Sequence, residues 1–187
     1  MTMNVRDSTS RRSHRRVDVV AILLLVVFGA ASARLFVWPS LEPLPRHVDA
    51  IIELGGPAND RRDQVAVELA REGRADFMVQ STTRGEAGTH SCLPAVPSVT
   101  TLCFHADPNS TRGEAQWVAA EADRRGWGSV ILVTTPDQAW RAMLRTTRCF
   151  SGDVYVATAP LPPLEWIWQI PYQWAASAKA LTIERTC

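Results

Sequence analysis

The chain has 187 residues, of which 46% are apolar and 21% are charged, and its formal net charge is +1. These values fit one globular domain of ordinary size with a hydrophobic core, and they exclude a chain that is disordered throughout. Because the charges nearly cancel, the molecule has no global basic field, and we predict no nucleic-acid partner.

A membrane segment is the first element that the sequence predicts. Residues 1–16 contain five arginines, and residues 19–33 then run without a charge. With their flanks, residues 17–38 provide 22 positions, enough for the ~20 residues with which a helix crosses a bilayer. We therefore predict a cytoplasmic basic tail over 1–16, a transmembrane anchor over 17–38 and a linker over 39–47.

The topology of this segment follows from its arginines. Because arginines are retained on the cytoplasmic side, we predict a single-pass cell-membrane protein whose C-terminal domain is extracytoplasmic. A cleaved signal peptide is the alternative, since Ala31-Ser32-Ala33 is a small-x-small pattern that signal peptidase accepts. Apolar residues continue past that pattern to Trp38, which favours an anchor that is not cleaved.

Strands and helices alternate in the rest of the chain. Short apolar runs predict five strands, at 48–54, 75–81, 99–105, 129–135 and 153–158. Four helices are predicted between and after them, at 61–73, 111–126, 136–150 and 164–185, the last one bent at Pro171. Residues 82–98 form a Gly-, Pro-, Thr- and Ser-containing excursion. The alternation predicts an α/β domain over 48–187, with a mainly parallel sheet and helices on both faces.

All four cysteines, Cys92, Cys103, Cys149 and Cys187, lie in the segment predicted to be exported. An even number in an oxidising compartment indicates disulfides, and four cysteines allow three pairings. We favour Cys92 with Cys103 and Cys149 with Cys187. Four free thiols are the better prediction only if the topology is inverted. A metal site is not predicted, because no pair has C-x-x-C spacing and the histidines are scattered.

Ligands of parallel α/β sheets bind beyond the carboxyl ends of the strands, and three predicted loops lie there. The first contains Gly55 and Gly56, which let a ligand approach the backbone closely, although a tight turn that needs positive φ is the simpler explanation. No G-x-G-x-x-G pattern follows, so a dinucleotide site is not supported and the cofactor stays unknown.

The second loop opens the helix at 111 with the sequence "DPNSTRGEAQW". Thr111 and Glu114 match a capping box, in which the hydroxyl accepts from a backbone N–H and the carboxylate reaches back. The box does not explain the further polar residues Asp107, Ser110 and Arg112. A helix N-terminus beside an arginine is a natural anion site, so we treat these residues as candidate ligand contacts.

The third loop contains Thr134 and Thr135. Thr135 and Gln138 match a second capping box, and Arg141 lies one turn further along the helix. An exposed position is the commoner fate of a lone arginine and remains the alternative for Arg141.

No catalytic nucleophile is evident. The sequence lacks G-x-S-x-G, H-E-x-x-H and a phosphate loop ending in G-K-[ST]. His105 is the only histidine near the predicted site, and such a histidine is more often structural. The catalytic residues are therefore unknown, with Glu114 and Asp107 as candidate bases.

Four segments, "VDAIIELGG", "AVELAREGRADFMVQS", "STRGEAQWVAAEADRRGWGSVILVTT" and "RA" at 141–142, resemble the YdcF/SanA/ElyC-like proteins of bacterial envelopes. The likeness runs in order from about Val48 to Cys149 and is closest to the actinobacterial branch. It implies a Rossmann-like, three-layer αβα domain behind one membrane helix. It also implies a polar pocket whose residues correspond in this chain to Gly55, Gly56, Ser81, Ser110, Thr111, Glu114, Thr134, Thr135 and Arg141.

This chain departs from the family pattern in two places. Gln138 stands where the family usually has histidine, and Thr82-Thr83 replace common glycines. Glutamine can form hydrogen bonds but cannot carry a proton at neutral pH, so the departure weakens a catalytic interpretation.

Three functions remain open. The first is a membrane-anchored envelope protein that binds an anionic, phosphorylated or nucleotide-like ligand and supports envelope or peptidoglycan homeostasis. The second is a hydrolase or transferase acting on a phosphorylated envelope precursor. The third is a non-catalytic scaffold that uses the "WIWQIPYQW" segment (166–174) to contact a partner or the membrane surface. For that segment, a buried helix covering the sheet is the favoured alternative.

Overall fold

The computed structural model describes residues 7–56, 59–82 and 93–187, with side chains from residue 17 onward except at Asn59. Most of the predicted excursion, including Cys92, lies outside the described residues. The structure has one five-stranded sheet in the order β3-β2-β1-β4-β5. Its strands are β1 (Val48–Glu53), β2 (Ala75–Thr82), β3 (Thr100–His105), β4 (Ser129–Thr134) and β5 (Asp153–Thr158).

The sheet is parallel throughout, as predicted, and β1 lies at its centre. Ile51 of β1 is in register with Met78 of β2 and Ile131 of β4. These three side chains are completely buried. Burial of both faces of β1 explains why its central residues, Ala50, Ile51 and Ile52, are consecutively apolar rather than alternating with polar residues.

Helices cover both faces of the sheet, so the fold is a Rossmann-like αβα sandwich. The domain helices are α2 (Asn59–Arg71), α3 (Thr111–Arg125), α4 (Pro136–Cys149) and α5 (Trp166–Thr182). On one face α2 packs through Val67 and Ala70 against Ile51. On the other face α3 and α4 pack through Val118 and Ala142 against the opposite side of the same strands.

The N-terminal helix α1 (Asp7–Ser32) continues as one π-helical turn, Ala33–Val37. The stretch Val17–Val37 is long and apolar enough to cross a membrane, with a mean hydropathy of 2.4, although a signal sequence has the same properties. Residues 17–30 are exposed along their whole length, whereas Ser32 and Phe36 are buried against the domain. The apolar helix is therefore exposed over residues 17–30, although Phe28 contacts Trp174, and it is packed on the domain over residues 31–37.

Helix α5 packs on α4 and on the end of the apolar N-terminal segment. The Trp174 ring lies 5.3 Å from the Phe28 ring and 5.4 Å from the Phe36 ring, and its indole N–H donates to Ser32 Oγ at 2.9 Å. The favoured sequence expectation, a buried helix over the sheet, is wrong: Trp168 remains 76% exposed. Helix α5 also runs without interruption through Pro171, which lies within its first two turns.

A disulfide joins Cys149, the last residue of α4, to Cys187, as predicted. Cys103 on β3 is also disulfide-bonded. Its predicted partner, Cys92, lies outside the described residues, so the pairing of these two cysteines stays a prediction.

Candidate functional site

A polar cavity of about 310 Å³ lies at the carboxyl end of the sheet. Its position is the junction of β1 and β4, where the strand order reverses and where open α/β sheets bind their ligands. The volume is at the lower end of the range for small-molecule sites. The lining residues are Gly55, Gly56, Ser81, Asn109, Ser110, Thr111, Glu114, Gln138, Arg141, Gln169, Tyr172 and Gln173.

The three predicted loops meet at this cavity, but not every predicted residue lines it. Gly55, Gly56, Ser81, Ser110, Thr111, Glu114, Gln138 and Arg141 belong to the lining. Thr134 and Thr135 lie completely buried behind it, and Asp107 is exposed outside it. Arg112 also lies outside the lining.

The first loop contains the tight turn with positive φ that its glycines suggested. Gly56 has φ of 134°, which only glycine adopts without strain. At Gly55 the reason is space, because a Cβ there would lie 3.3 Å from Glu114 Oε1. The Arg62 guanidinium stabilises this turn by donating hydrogen bonds to the carbonyl groups of Leu54 and Gly56.

A buried ion pair lies beneath the loop. Arg62 Nε is 3.7 Å from Glu53 Oε1, and both side chains are almost inaccessible to solvent. Burial raises the pKa of Glu53 well above its usual value despite the opposing charge of Arg62. The pair therefore fixes the position of the loop from inside the protein, where no ligand reaches it.

Glu114 is the buried carboxyl group of the cavity and only 4% exposed. Its Oε1 accepts the backbone N–H of Gly55 at 2.7 Å, and the Ser81 hydroxyl also hydrogen-bonds to it. Burial raises the pKa of Glu114 above its usual value, even though these hydrogen bonds and Arg62 and Arg141 oppose the shift. A carboxyl group in this state can donate or accept a proton nearer to neutral pH than an exposed glutamate.

The predicted capping box at the start of α3 does not form. The N-cap is Ser110, whose Oγ accepts the N–H of Gly113 at 3.2 Å, and Thr111 is the first helical residue. Glu114 reaches across to Gly55 instead of back to the N-cap. The predicted N-cap, Thr111, is one residue too late. Ser110 and Thr111 are both suitable N-cap residues, and the sequence alone does not distinguish them.

Thr111 is the centre of the hydrogen-bond network around the cavity. Its Oγ1 accepts from Arg141 Nη1 at 2.7 Å and from Gln138 Nε2 at 3.2 Å. A hydroxyl oxygen that accepts two hydrogen bonds still has its own hydrogen to donate. Since Thr111 lines the cavity, that hydrogen is available to a ligand.

Gln138 is held at both ends of its amide. Its Oε1 accepts from Thr134 Oγ1 at 3.0 Å, while its Nε2 donates to Thr111. The second predicted capping box is therefore also wrong: Thr135 is the N-cap of α4 but makes no side-chain capping bond. Gln138 instead positions Thr111, and it has no proton to exchange at neutral pH.

Arg141 is the cation among the described residues that line the cavity. It is 7% exposed, so the alternative of an exposed arginine is wrong. Its Nε donates to Gln173 Oε1 at 3.0 Å, and Gln173 in turn donates to Asp137 Oδ2 at 2.8 Å. Burial lowers its pKa below the usual value for arginine, but the group remains charged at physiological pH. Within the described chain its Nη2 group makes no hydrogen bond, so these donors are free for a ligand.

Helix α5 closes one side of the cavity with residues that the sequence analysis did not identify. Gln169, Tyr172 and Gln173 line the cavity, and the Tyr172 ring lies 5.8 Å from the Arg141 guanidinium carbon. Their spacing of three and four residues places them on one helix face. This spacing is the sequence feature that indicates a shared polar surface. The tryptophans of the same segment obscured it, because they suggested an apolar contact surface.

Arg112 does not converge on the cavity with Arg141, contrary to the anion-site hypothesis. Its Nη2 donates to the backbone oxygen of Cys187 at 2.7 Å. The Cys149–Cys187 disulfide holds that oxygen near α3, and this contact explains why Arg112 points away. Among the described residues, the cavity lining therefore contains one of these two arginines, Arg141.

No family model, no curated protein and no solved structure matches the chain. The likeness to YdcF-like proteins therefore rests on the sequence motifs alone.

Proposed function

We propose that the protein is a membrane-anchored, extracytoplasmic binder of an anionic ligand, phosphorylated or nucleotide-like. The observation that carries the proposal is the convergence of donors on one cavity: the free Nη2 group of Arg141 and the hydroxyl hydrogen of Thr111. A planar guanidinium that is fixed by two other hydrogen bonds loses little entropy on binding, which suits it to phosphate or carboxylate groups.

The N-terminus of α3 also favours an anion in the cavity. Ser110, Thr111 and Glu114, from its cap and first turn, line the cavity. The partial positive charge at a helix N-terminus favours an anion there. Protonation of Glu114, favoured by its burial, would also remove the negative charge that would otherwise repel the ligand.

The cellular role rests on the sequence motifs and on the N-terminal segment. The resemblance to YdcF-like proteins supports a role in envelope or peptidoglycan homeostasis. An uncleaved anchor with its basic tail in the cytoplasm places the cavity outside the cell membrane. The Cys149–Cys187 disulfide is compatible with that oxidising side.

A matched pair of arginine variants tests the ligand class. Arg141→Gln removes the cation that lines the cavity, whereas Arg112→Gln makes the same change in charge outside it. We expect isothermal titration with inorganic phosphate and with a nucleoside diphosphate to show at least a tenfold loss of affinity for Arg141→Gln and wild-type affinity for Arg112→Gln. Equal affinities in all three proteins, with circular dichroism showing intact folding, would contradict the proposal.

A hydrolase or transferase is the second candidate, and one contact favours it. The Ser81 hydroxyl hydrogen-bonds to Glu114, whose pKa is raised, so a carboxyl group able to act as a general base lies beside a hydroxyl in the cavity. Glu114→Gln keeps the size of the side chain and its ability to accept the Gly55 N–H. Turnover of a phosphorylated envelope precursor that Glu114→Gln abolishes, with circular dichroism showing an intact fold, would establish this function; unaffected turnover would exclude Glu114 as the base.

A further inference from the structure

The exposed face of helix α5 is apolar, unlike that of a helix at a water-exposed surface. Its exposed face is an apolar stripe formed by Leu164, Ile167, Trp168, Pro171, Tyr172 and Ala175, the first of which lies in the short turn just before the helix. Its inward face carries the polar side chains of Gln169, Gln173 and Ser177. A helix at a water-exposed surface has its apolar face inside and its polar face outside. The exposed face of α5 is apolar instead, while Trp174 and Ala180 face inward with the polar residues, and residues 166–178 contain no charge.

The length of the exposed part of the apolar helix independently constrains how deeply the domain lies in the membrane. Residues 17–30 are the exposed part of the N-terminal helix, and at ~1.5 Å per residue they extend about 21 Å. The hydrocarbon core of a bilayer is about 30 Å thick. A span over Val17–Val37 must therefore include the packed part, residues 31–37, and this places the adjoining part of the domain within the last ~9 Å of the membrane.

Helices α4 and α5 both contact that packed part, and α5 does so through Trp174. Trp174 contacts Phe28, Ser32 and Phe36, which lie on successive turns of the span. Three contacts on one tryptophan fix the height of α5 relative to the span. The middle of α5 is therefore level with residues 28–36, inside the segment that the bilayer must cover.

We infer that the apolar stripe of α5 lies in the membrane interface on the domain side and is covered by lipid. The inference rests on the proposed uncleaved anchor. Interfacial helices bury their apolar face about 5–10 Å into the boundary between headgroups and acyl chains, which matches the depth that the span requires. Trp168 and Tyr172 are the aromatic residues that prefer this layer, and the exposed Trp38 lies just beyond the end of the same span.

This docking also defines how the cavity faces the membrane. Tyr172 belongs both to the apolar stripe and to the cavity lining. With the stripe in the interface, the rim of the cavity lies at the level of the lipid headgroups. The anionic group that the cavity binds is then presented at that level.

Quenching by brominated lipids tests the docking directly. The full chain is reconstituted into nanodiscs of phosphatidylcholine and phosphatidylglycerol that carry bromine near the headgroup end of the acyl chains. The chain has seven tryptophans. We expect Trp168→Phe to reduce the lipid-quenched emission by roughly the emission of one tryptophan. Trp168 is exposed and does not line the cavity, so this variant should fold and bind phosphate as the wild type does.

Trp117→Phe is the matched control, since Trp117 stacks on Phe104 within the domain and lies outside the stripe. This variant should leave the lipid-quenched emission unchanged. If Trp168→Phe instead removes emission that aqueous acrylamide quenches, the stripe faces water and the inference fails. If neither quencher reaches Trp168 and each disc holds two chains, a second copy covers the stripe and the inference also fails. Phosphate binding in the same discs is measured separately, so failure of docking and failure of the proposed function are distinguishable.

Discussion

Glu114 is buried beside a backbone N–H, a hydroxyl and the charges of Arg62 and Arg141, and burial still determines the direction of its pKa shift. A carboxyl group with a raised pKa binds more protons in the folded chain than in the unfolded chain. Its contribution to stability is therefore complete below the ordinary glutamate pKa of 4.5, which applies to the unfolded chain, and is lost as the pH rises through the folded pKa.

This linkage predicts the effect of Glu114→Gln on the pH dependence of stability. Wild-type melting temperature should fall as the pH is raised from about 4.5 towards neutrality, and the variant should show a shallower fall. A residual slope is expected because Glu53 is shifted in the same direction. Thermal unfolding in detergent across this range measures both proteins, and parallel curves would show that Glu114 is not shifted in the folded state.

Gly113 is required by the close approach of another part of the backbone. A Cβ at this position would lie 2.0 Å from the carbonyl oxygen of Pro108. Gly113→Ala must therefore displace the loop before α3, and we expect a loss of about 1–3 kcal/mol, as for overpacked sites. Gly55→Ala is the control, since its closest contact would be 3.3 Å, from Glu114 Oε1. It should destabilise less, and similar melting temperatures for the two variants would argue against this packing explanation.

The sequence was informative for cavity residues that follow strands and poorly informative for the others. Gly55 could be placed because parallel strands end at one edge of the sheet, whereas Ser81, which lies within β2, was indicated only by the family resemblance. The partners of Glu114 and Gln138 could not, because a capping pattern shows only spacing, and in this fold each side chain bonds to a distant element instead. The direction of Arg112 depends on Cys187, 75 residues away, which no local pattern encodes.

Among the elements, α4 carries the disulfide that determines the position of the C-terminal segment. The bridge closes a loop with a sequence separation of 38 residues. Chain-entropy arguments assign ~4 kcal/mol to a loop of this size. Cys149→Ser combined with Cys187→Ser should therefore lower the melting temperature markedly and free Arg112 from its contact with Cys187. Differential scanning calorimetry of the variant and the wild type measures the loss, and equal melting temperatures would contradict a stabilising role.

The strands and helices themselves were predictable, because each is a local pattern. The centres of β1 (50–52) and β4 (130–133) are consecutive apolar residues because both faces of the sheet are covered, and the observed bounds of these strands lie within one residue of the predicted ones. Helix α5 was predictable in extent but not in placement. Its aromatic residues suggested burial over the sheet, while Gln169 and Gln173 are the residues that face inward. The polar cavity and the N-terminal helix decide this orientation, and both are tertiary features.

For the molecule as a whole, the proposed topology makes a direct prediction. Reporter fusions at the C-terminus should be active when the reporter requires the extracytoplasmic side and inactive when it requires the cytoplasm. The mature protein should retain residues 28–36, because Trp174 packs on them. Mass spectrometry of the purified membrane fraction measures the N-terminus, and a chain beginning just after Ala33 would show that the segment is a cleaved signal peptide.

The strand order determines when each pair of strands can form during synthesis. The central strand β1 pairs with β2 shortly after it in the chain, but its other neighbour, β4, is about 80 residues away, as the Asp49–Ser129 contact shows. At synthesis rates of about 5–20 residues per second, the backbone hydrogen-bonding groups on one edge of β1 remain unpaired for roughly 4–16 seconds. Pairings at this range are slow, and an open edge invites association with other chains. The nascent domain is therefore most vulnerable to aggregation between the emergence of β1 and the emergence of β4.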